Sequence, residues 1–218
     1  MGMPNARSEF VRPVVRAAGV LLAVIALLTG ILIWLADRTE TRIAANQQSN
    51  VSQAIDALLP RGSYDNDLLT DRIHVVAPDL LGTRQPVSIY RARRQGKPVA
   101  ALLRPVAPDG YRGAIELLVA IADDGTLIGV QVLNHNETPG LGDAFETREA
   151  GWLRDFKGLS LVNPPQNRWT VRKDGGDFDA FTGATITPRA IVKAVRRSLE
   201  FYNSNRQRIF TTEVPASD

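Results

Sequence analysis

The stretch RGAIELLVAIADDGTLIGVQVLNH, residues 112–135, decides the fold. Two apolar runs flank Asp123-Asp124-Gly125-Thr126, and Asp-Gly between such runs predicts an antiparallel hairpin. Upstream, PVSIYRARRQGKPVAALLRPV (86–106) reads as two more strands turning at RQGKP, and PDGY (108–111) turns the chain into the hairpin. The expectation is an antiparallel sheet of four or more strands. Downstream the pattern predicts a short helix over 143–156, a strand at RWTVRK (168–173) and a closing helix from Pro188 to about Asn203. In that helix Ile191, Val195, Leu199 and Tyr202 recur at helical spacing and make one apolar face, while Arg189, Lys193, Arg196 and Arg197 lie mostly off it. Strands grouped first and helices later define an α+β class rather than a doubly wound sheet.

Ahead of the sheet, AAGVLLAVIALLTGILIWLA, residues 17–36, carries no charge and at helical rise spans about 30 Å, the thickness of a bilayer core. It reads as one transmembrane helix with Trp34 at the far interface. A cleaved signal peptide is the rival reading, but it calls for a shorter apolar region and a small-residue cleavage site, and the exit here is WLADRTE. Arg7, Arg12 and Arg16 precede the span; Arg38 and Arg42 follow it among acids, which places the N-terminus in the cytoplasm by a narrow margin. After the span, Ile43, Val51, Ile55, Leu58 and Leu59 predict a membrane-proximal amphipathic helix ending before Pro60.

Composition narrows the chemistry. In 218 residues there is no cysteine, which removes disulfides, iron–sulfur clusters, thiolate zinc sites and c-type haem attachment. The net charge of +3 comes from 26 basic residues scattered among 23 acidic ones, so no nucleic-acid-binding run is present. No G-x-G-x-x-G follows a strand, and no acid/base pair for substrate turnover is evident. His135 with Glu137 supplies too few ligands for a metal site.

Two short stretches stand out. In DFDAFTGATITPRA (177–190), Thr187 and Pro188 read as a helix start, threonine capping with its hydroxyl. Just before it, Gly183 permits a backbone conformation closed to other residues and Ala184 allows close approach. The free N–H groups of the helix start suit a phosphate, which the helix dipole favours by about 0.3–1 kcal/mol; a plain Gly-Thr cap without a ligand is the simpler reading. In NHNETPGLGD (134–143), Pro-Gly-Leu-Gly after a strand gives either an ordinary turn or a backbone ledge that a flat ring could approach, with Leu141 offering apolar contact.

DAFTGAT, Asp179 to Thr185, resembles the D-x-x-[ST]-G-A-T signature at which flavin transferases esterify FMN phosphate to the final threonine, and ETPGLG resembles a loop of the same FMN-binding domain family. Taken with the anchor, KDGGDFDAFTGATITP and the closing helix, the chain resembles the G subunits of the Rnf (Rsx) ion-translocating electron-transport complexes. The C subunits of sodium-pumping NADH:quinone reductases are related; a cofactor-free, membrane-anchored binding domain and an enzyme with non-covalent FMN are the readings without that resemblance.

The resemblance implies covalent FMN through a phosphoester on Thr185, with Asp179, Thr182, Gly183 and Ala184 as the recognition frame and Glu137, Thr138, Gly140, Leu141 and Gly142 beside the ring. It implies an electron carrier rather than a complete enzyme, the other members of the complex and a flavin transferase as partners, and a bacterial inner-membrane location with the domain on the periplasmic side. The organisation expected is a cytoplasmic tail (1–16), a transmembrane helix (17–36), a membrane-proximal helix and connector (37–66), an FMN-binding domain (67–206) and a C-terminal tail (207–218).

Overall fold

A computed structural model describes the backbone of residues 6–147 and 151–212. The chain divides into two compact units, one up to Ser49 and one from Asn50. Helix α1, Ala6–Leu58, begins in the first. Within it Val15–Leu35, 21 residues of mean hydropathy 2.7, is long and apolar enough to cross a membrane. No glycine or proline interrupts the chain between Gly30 and Pro60, and Pro60, which cannot continue a helix, stands just beyond the end of α1.

In the second unit six strands form one antiparallel sheet: β1 (Arg72–Val75), β2 (Val87–Arg94), β3 (Lys97–Leu103), β4 (Val106–Gly110), β5 (Gly113–Ala122) and β6 (Leu127–Asn134). β3 and β4 run one after the other along the same edge of β5, Leu103 opposite Val119 and Val106 opposite Glu116, and β6 pairs with the other edge. Both expected hairpins form. At RQGKP a two-residue turn puts Gln95 at φ 53° and Gly96 at φ 74°, the double positive-φ geometry that matches strand twist, and the Asp65 carboxylate accepts the Gln95 N–H at 2.7 Å. At DDGT the Asp124 carboxylate accepts the Thr126 N–H at 2.9 Å, which holds its pKa below the ordinary carboxylate value.

The sheet is buried on both faces, which explains why AIELLVAIA and PVAALL read as nearly unbroken apolar runs. Ile89, Ala101, Leu103, Leu117, Val119 and Ile121 face helix α4 (Ile186–Thr211), where Ile191, Val195, Leu199 and Tyr202 are fully buried. The alternate residues Tyr90, Ala92, Ala100, Leu102, Leu118 and Ala120 face Val51, Ile55 and Leu59. Each fully buried Leu or Ile contributes about 1.5–3 kcal/mol, so this double burial dominates the unit's stability.

The far end of α4 is tied to β2. Buried Arg91 donates to the carbonyls of Ile209 (3.1 Å) and Thr212 (2.5 Å), and Arg93 to that of Phe210 (2.8 Å). These are last-turn acceptors with no intrahelical partner, met by cations where the helix dipole favours them. Asp71 holds both guanidiniums, and Asn66 braces Asp71.

Three expectations change. α4 starts two residues before Pro188, at Ile186, and runs past Asn203 to Thr211, because burial of Phe201 and Ile209 and the two arginines extend it. The expected helix at 143–156 is a single turn, α3 (Ala144–Thr147), and a 3-10 segment, Trp152–Phe156; residues 148–150 lie outside those described. RWTVRK is not a strand: two 3-10 turns, Gln166–Arg168 and Arg172–Asp174, bracket it, and only Val171 makes a bridge, to Phe178. Its aromatic and branched residues are buried by an aromatic cluster instead.

Candidate functional site

Phe181-Thr182-Gly183-Ala184 is a tight turn, closed by the Ala184 N–H on the Phe181 carbonyl at 3.0 Å, with Gly183 at φ +82° in the position that demands positive φ. Phe181 is the turn's buried foot. Its ring meets Trp152 edge-on at 5.1 Å and Phe145 at 6.4 Å, and the Trp152 indole N–H donates to the Asp179 carbonyl at 3.0 Å. Phe178 stacks on Phe156 at 4.9 Å beside Trp169. The two phenylalanines of DFDAF thus fasten the signature to an aromatic floor, and Thr182 and Gly183 stand exposed above it.

Thr185 is the N-cap of α4, half-buried, and its side chain makes no capping hydrogen bond. The following N–H groups of Ile186 and Thr187 belong to a first turn that has no intrahelical acceptors, and Pro188 brings none. The Asp179 carboxylate is exposed and pairs with Arg172 at 3.0 Å. One turn into the helix, Arg189 hydrogen-bonds Asp174 at 2.6 and 3.0 Å, which holds the Asp174 carboxyl below its ordinary pKa. Lys193 pairs with Asp109.

Thr187 does not cap the helix. It is wholly buried, and its hydroxyl donates to Glu137 Oε2 at 2.5 Å. Glu137, 4% exposed, accepts the Arg112 N–H on its other oxygen at 3.1 Å. The ETPGLG loop and the first turn of α4 are therefore in direct contact. Gly142 packs against the pair: a Cβ there would lie 2.6 Å from Glu137 Oε2 and 3.2 Å from Thr187 Oγ1. On the outer side, Leu141, 48% exposed, comes within 3.4 Å of where a Gly183 side chain would begin. The Thr138 carbonyl accepts the N–H groups of Leu141 and Gly142, and Gly140, at φ 77°, donates to Asp143 at 2.7 Å. His135 Nδ1 accepts the Glu137 N–H at 3.1 Å, and its ring meets Phe145 edge-on at 5.0 Å.

Glu137 and Gly142 are thus brought against Thr187, and Leu141 against Gly183, each two residues from Thr185. Sequence reasoning missed Thr187's role, the Arg112 amide, and the aromatic floor. The i, i+3 spacing of Phe178 and Phe181 was the signal for that floor; nothing local signalled the other two.

The antiparallel sheet clad by helices holds an FMN-binding domain: residues 110–200 match the FMN-binding domain family. The chain is 47% identical over 178 residues to the G subunit of the ion-translocating oxidoreductase complex of Pseudomonas aeruginosa (strain UCBPP-PA14), covering 82% of this chain and 83% of that protein. It is 42% identical over 201 residues to the corresponding protein of Pseudoalteromonas atlantica, covering 92% and 94%, and 45% identical over 197 residues to that of Shewanella loihica, covering 90% and 92%. The chain belongs to the family of G subunits of ion-translocating oxidoreductase complexes.

Proposed function

We propose that this chain is the flavin-bearing subunit of a membrane-bound ion-translocating oxidoreductase complex and carries FMN as a phosphoester on Thr185. The observation that carries the reading is the Thr185 hydroxyl: half-exposed, at a helix N-cap, and spared from capping. The N–H groups of Ile186 and Thr187 would hold an ester phosphate there, since a helix start favours an anion. The recognition frame is the exposed run Asp179, Thr182 and Gly183 with Ala184 behind it. Ring-side contacts fall to Thr138, Leu141 and the backbone of Gly140 to Gly142, with Glu137 supporting the loop from beneath.

Threonine is a poor nucleophile without a base, and no side chain hydrogen-bonds the Thr185 hydroxyl among the described residues. A separate flavin transferase therefore supplies the base and an FMN phosphate activated as a nucleotide anhydride. The Thr185 O–H proton goes to the transferase, a P–O bond forms to Oγ1, the anhydride P–O bond breaks, and a nucleoside monophosphate leaves. The bound flavin supplies reversible acceptance and donation of electrons; the chain supplies retention and surroundings. Tethering holds the cofactor at an effective concentration on the order of millimolar without tight non-covalent contacts. Electron exchange and ion movement belong to the other members of the complex.

The domain lies on the periplasmic side of a bacterial inner membrane, anchored by Val15–Leu35. A C-terminal alkaline phosphatase fusion is active in this orientation and inactive in the opposite one. For the attachment, the chain is expressed with a flavin transferase and run on a denaturing gel. The band fluoresces, and Thr185→Ala is dark; a dark wild-type band, or a fluorescent Thr185→Ala band, contradicts the assignment.

A further inference from the structure

We infer that Glu137 and Thr187 are positioning residues for flavin attachment: a buried latch that fixes the first turn of α4 on the ETPGLG loop and thereby presents Thr185 Oγ1. This rests on the reading of Thr185 as the attachment site. Burying a carboxylate is costly unless its lone pairs are filled, and an apolar pair of similar volume stabilises a fold at least as well. What a two-oxygen acceptor adds is direction. Glu137 takes one donor from the start of α4 (Thr187, 2.5 Å) and one from the β4–β5 turn (Arg112 N–H, 3.1 Å), so a single carboxylate fixes three chain segments.

The surroundings are shaped to that carboxylate. A Cβ at Gly110 would lie 3.0 Å from Glu137 Oε1, and one at Gly142 2.6 Å from Oε2, so the backbone closes on it from both sides. Thr187 sits two residues beyond Thr185 on a helix whose N-cap side chain makes no bond of its own. Its hydroxyl therefore sets the rotation and depth of the first turn, and with them the direction of Thr185. Two donors arriving on separate oxygens of one side chain suit a carboxyl group. A glutamine offers one acceptor oxygen and would turn its NH2 toward the second donor.

The test is the initial rate at which the full chain in membranes gains covalent flavin fluorescence from a co-expressed transferase, with thermal midpoints measured in parallel. Thr187→Val and Glu137→Gln slow loading by on the order of 10- to 100-fold, the scale of misplacing a reacting atom. Thr187→Ser, which restores the hydroxyl, keeps most of the rate. Ile191→Val, a core change in the same helix costing about 0.5–1.5 kcal/mol, loads normally. Loading on Thr185 at the wild-type rate in both Thr187→Val and Glu137→Gln overturns the latch and leaves the attachment reading standing. Equal slowing in Ile191→Val also overturns it, since stability alone would then set the rate. A wild-type chain that takes up no flavin overturns the attachment reading and the latch together. Where Thr187→Val fails to fold, Glu137→Gln and Glu137→Asp decide on the same readout.

Discussion

The Thr187 hydroxyl donates to Glu137 Oε2 at 2.5 Å, joining residues 50 apart in sequence through a contact that solvent scarcely reaches. That bond joins the ETPGLG loop to the first turn of α4. It also buries the Glu137 carboxyl where a helix starts, so on the inferred latch the stability of the domain and the presentation of Thr185 depend on the same hydrogen bond.

Removing the donor tests the stability half. Thr187→Ala leaves a buried carboxylate oxygen without a partner, which costs about 1–3 kcal/mol. The thermal midpoint of the full chain in detergent falls by roughly 2–4 °C for each kcal/mol lost. An unchanged midpoint would mean that water satisfies Glu137.

Gly183 makes a graded prediction. At φ +82° a β-carbon costs about 1–2 kcal/mol, and here it would also touch Leu141 at 3.4 Å. Gly183→Asn, which tolerates that backbone, retains more flavin loading than Gly183→Ala, and Gly183→Val retains least. Fluorescence of the denatured band gives the order.

How much of this was legible in the sequence differs by element. The hairpin at DDGT, the apolar face of α4 and the span near the N-terminus were readable because period, turn residues and length act locally. The Thr-Gly turn and the ETPGLG loop stood out through their resemblance to the FMN-binding domain family; their chemistry alone read equally as a plain cap and an ordinary turn. Thr187 reads as a cap because threonine before proline is the usual signature of one; its true partner is Glu137, and local pattern does not encode a distant buried acceptor. RWTVRK reads as a strand because Trp169 and Val171 are strand formers, yet their burial comes from Phe156 and Phe178 rather than from a sheet. The four-residue β1 was too short to announce itself.

The Arg91 network makes a prediction at the other end of α4. Arg91→Met strips two terminal carbonyls and half of Asp71's pairing, a loss of roughly 3–5 kcal/mol. Arg91→Lys recovers little, since one ammonium cannot reproduce the fork. Amide hydrogen exchange over the last turns of α4 speeds up in both, while the first turn is affected less. Uniform exchange along the helix would contradict the assignment.

Alkaline stability follows from Tyr202. Its phenol is fully buried, and burial together with the nearby Asp123 charge pushes its pKa up from 10.0 to about 12. The folded state holds this proton more tightly than the unfolded chain. The contribution is therefore complete below pH 10 and lost as pH rises from 10 to about 12. Tyr202→Phe flattens that part of the stability–pH curve relative to wild type; parallel curves would show that the phenol titrates normally.

Peptide mapping addresses the central claim most directly. Trypsin releases Asp174–Arg189, which contains Thr182, Thr185 and Thr187, from chain loaded by a flavin transferase. The account predicts that this peptide carries the mass of an FMN phosphoester and that fragmentation places it on Thr185. An unmodified peptide, or the same mass on Thr182 or Thr187, would contradict it.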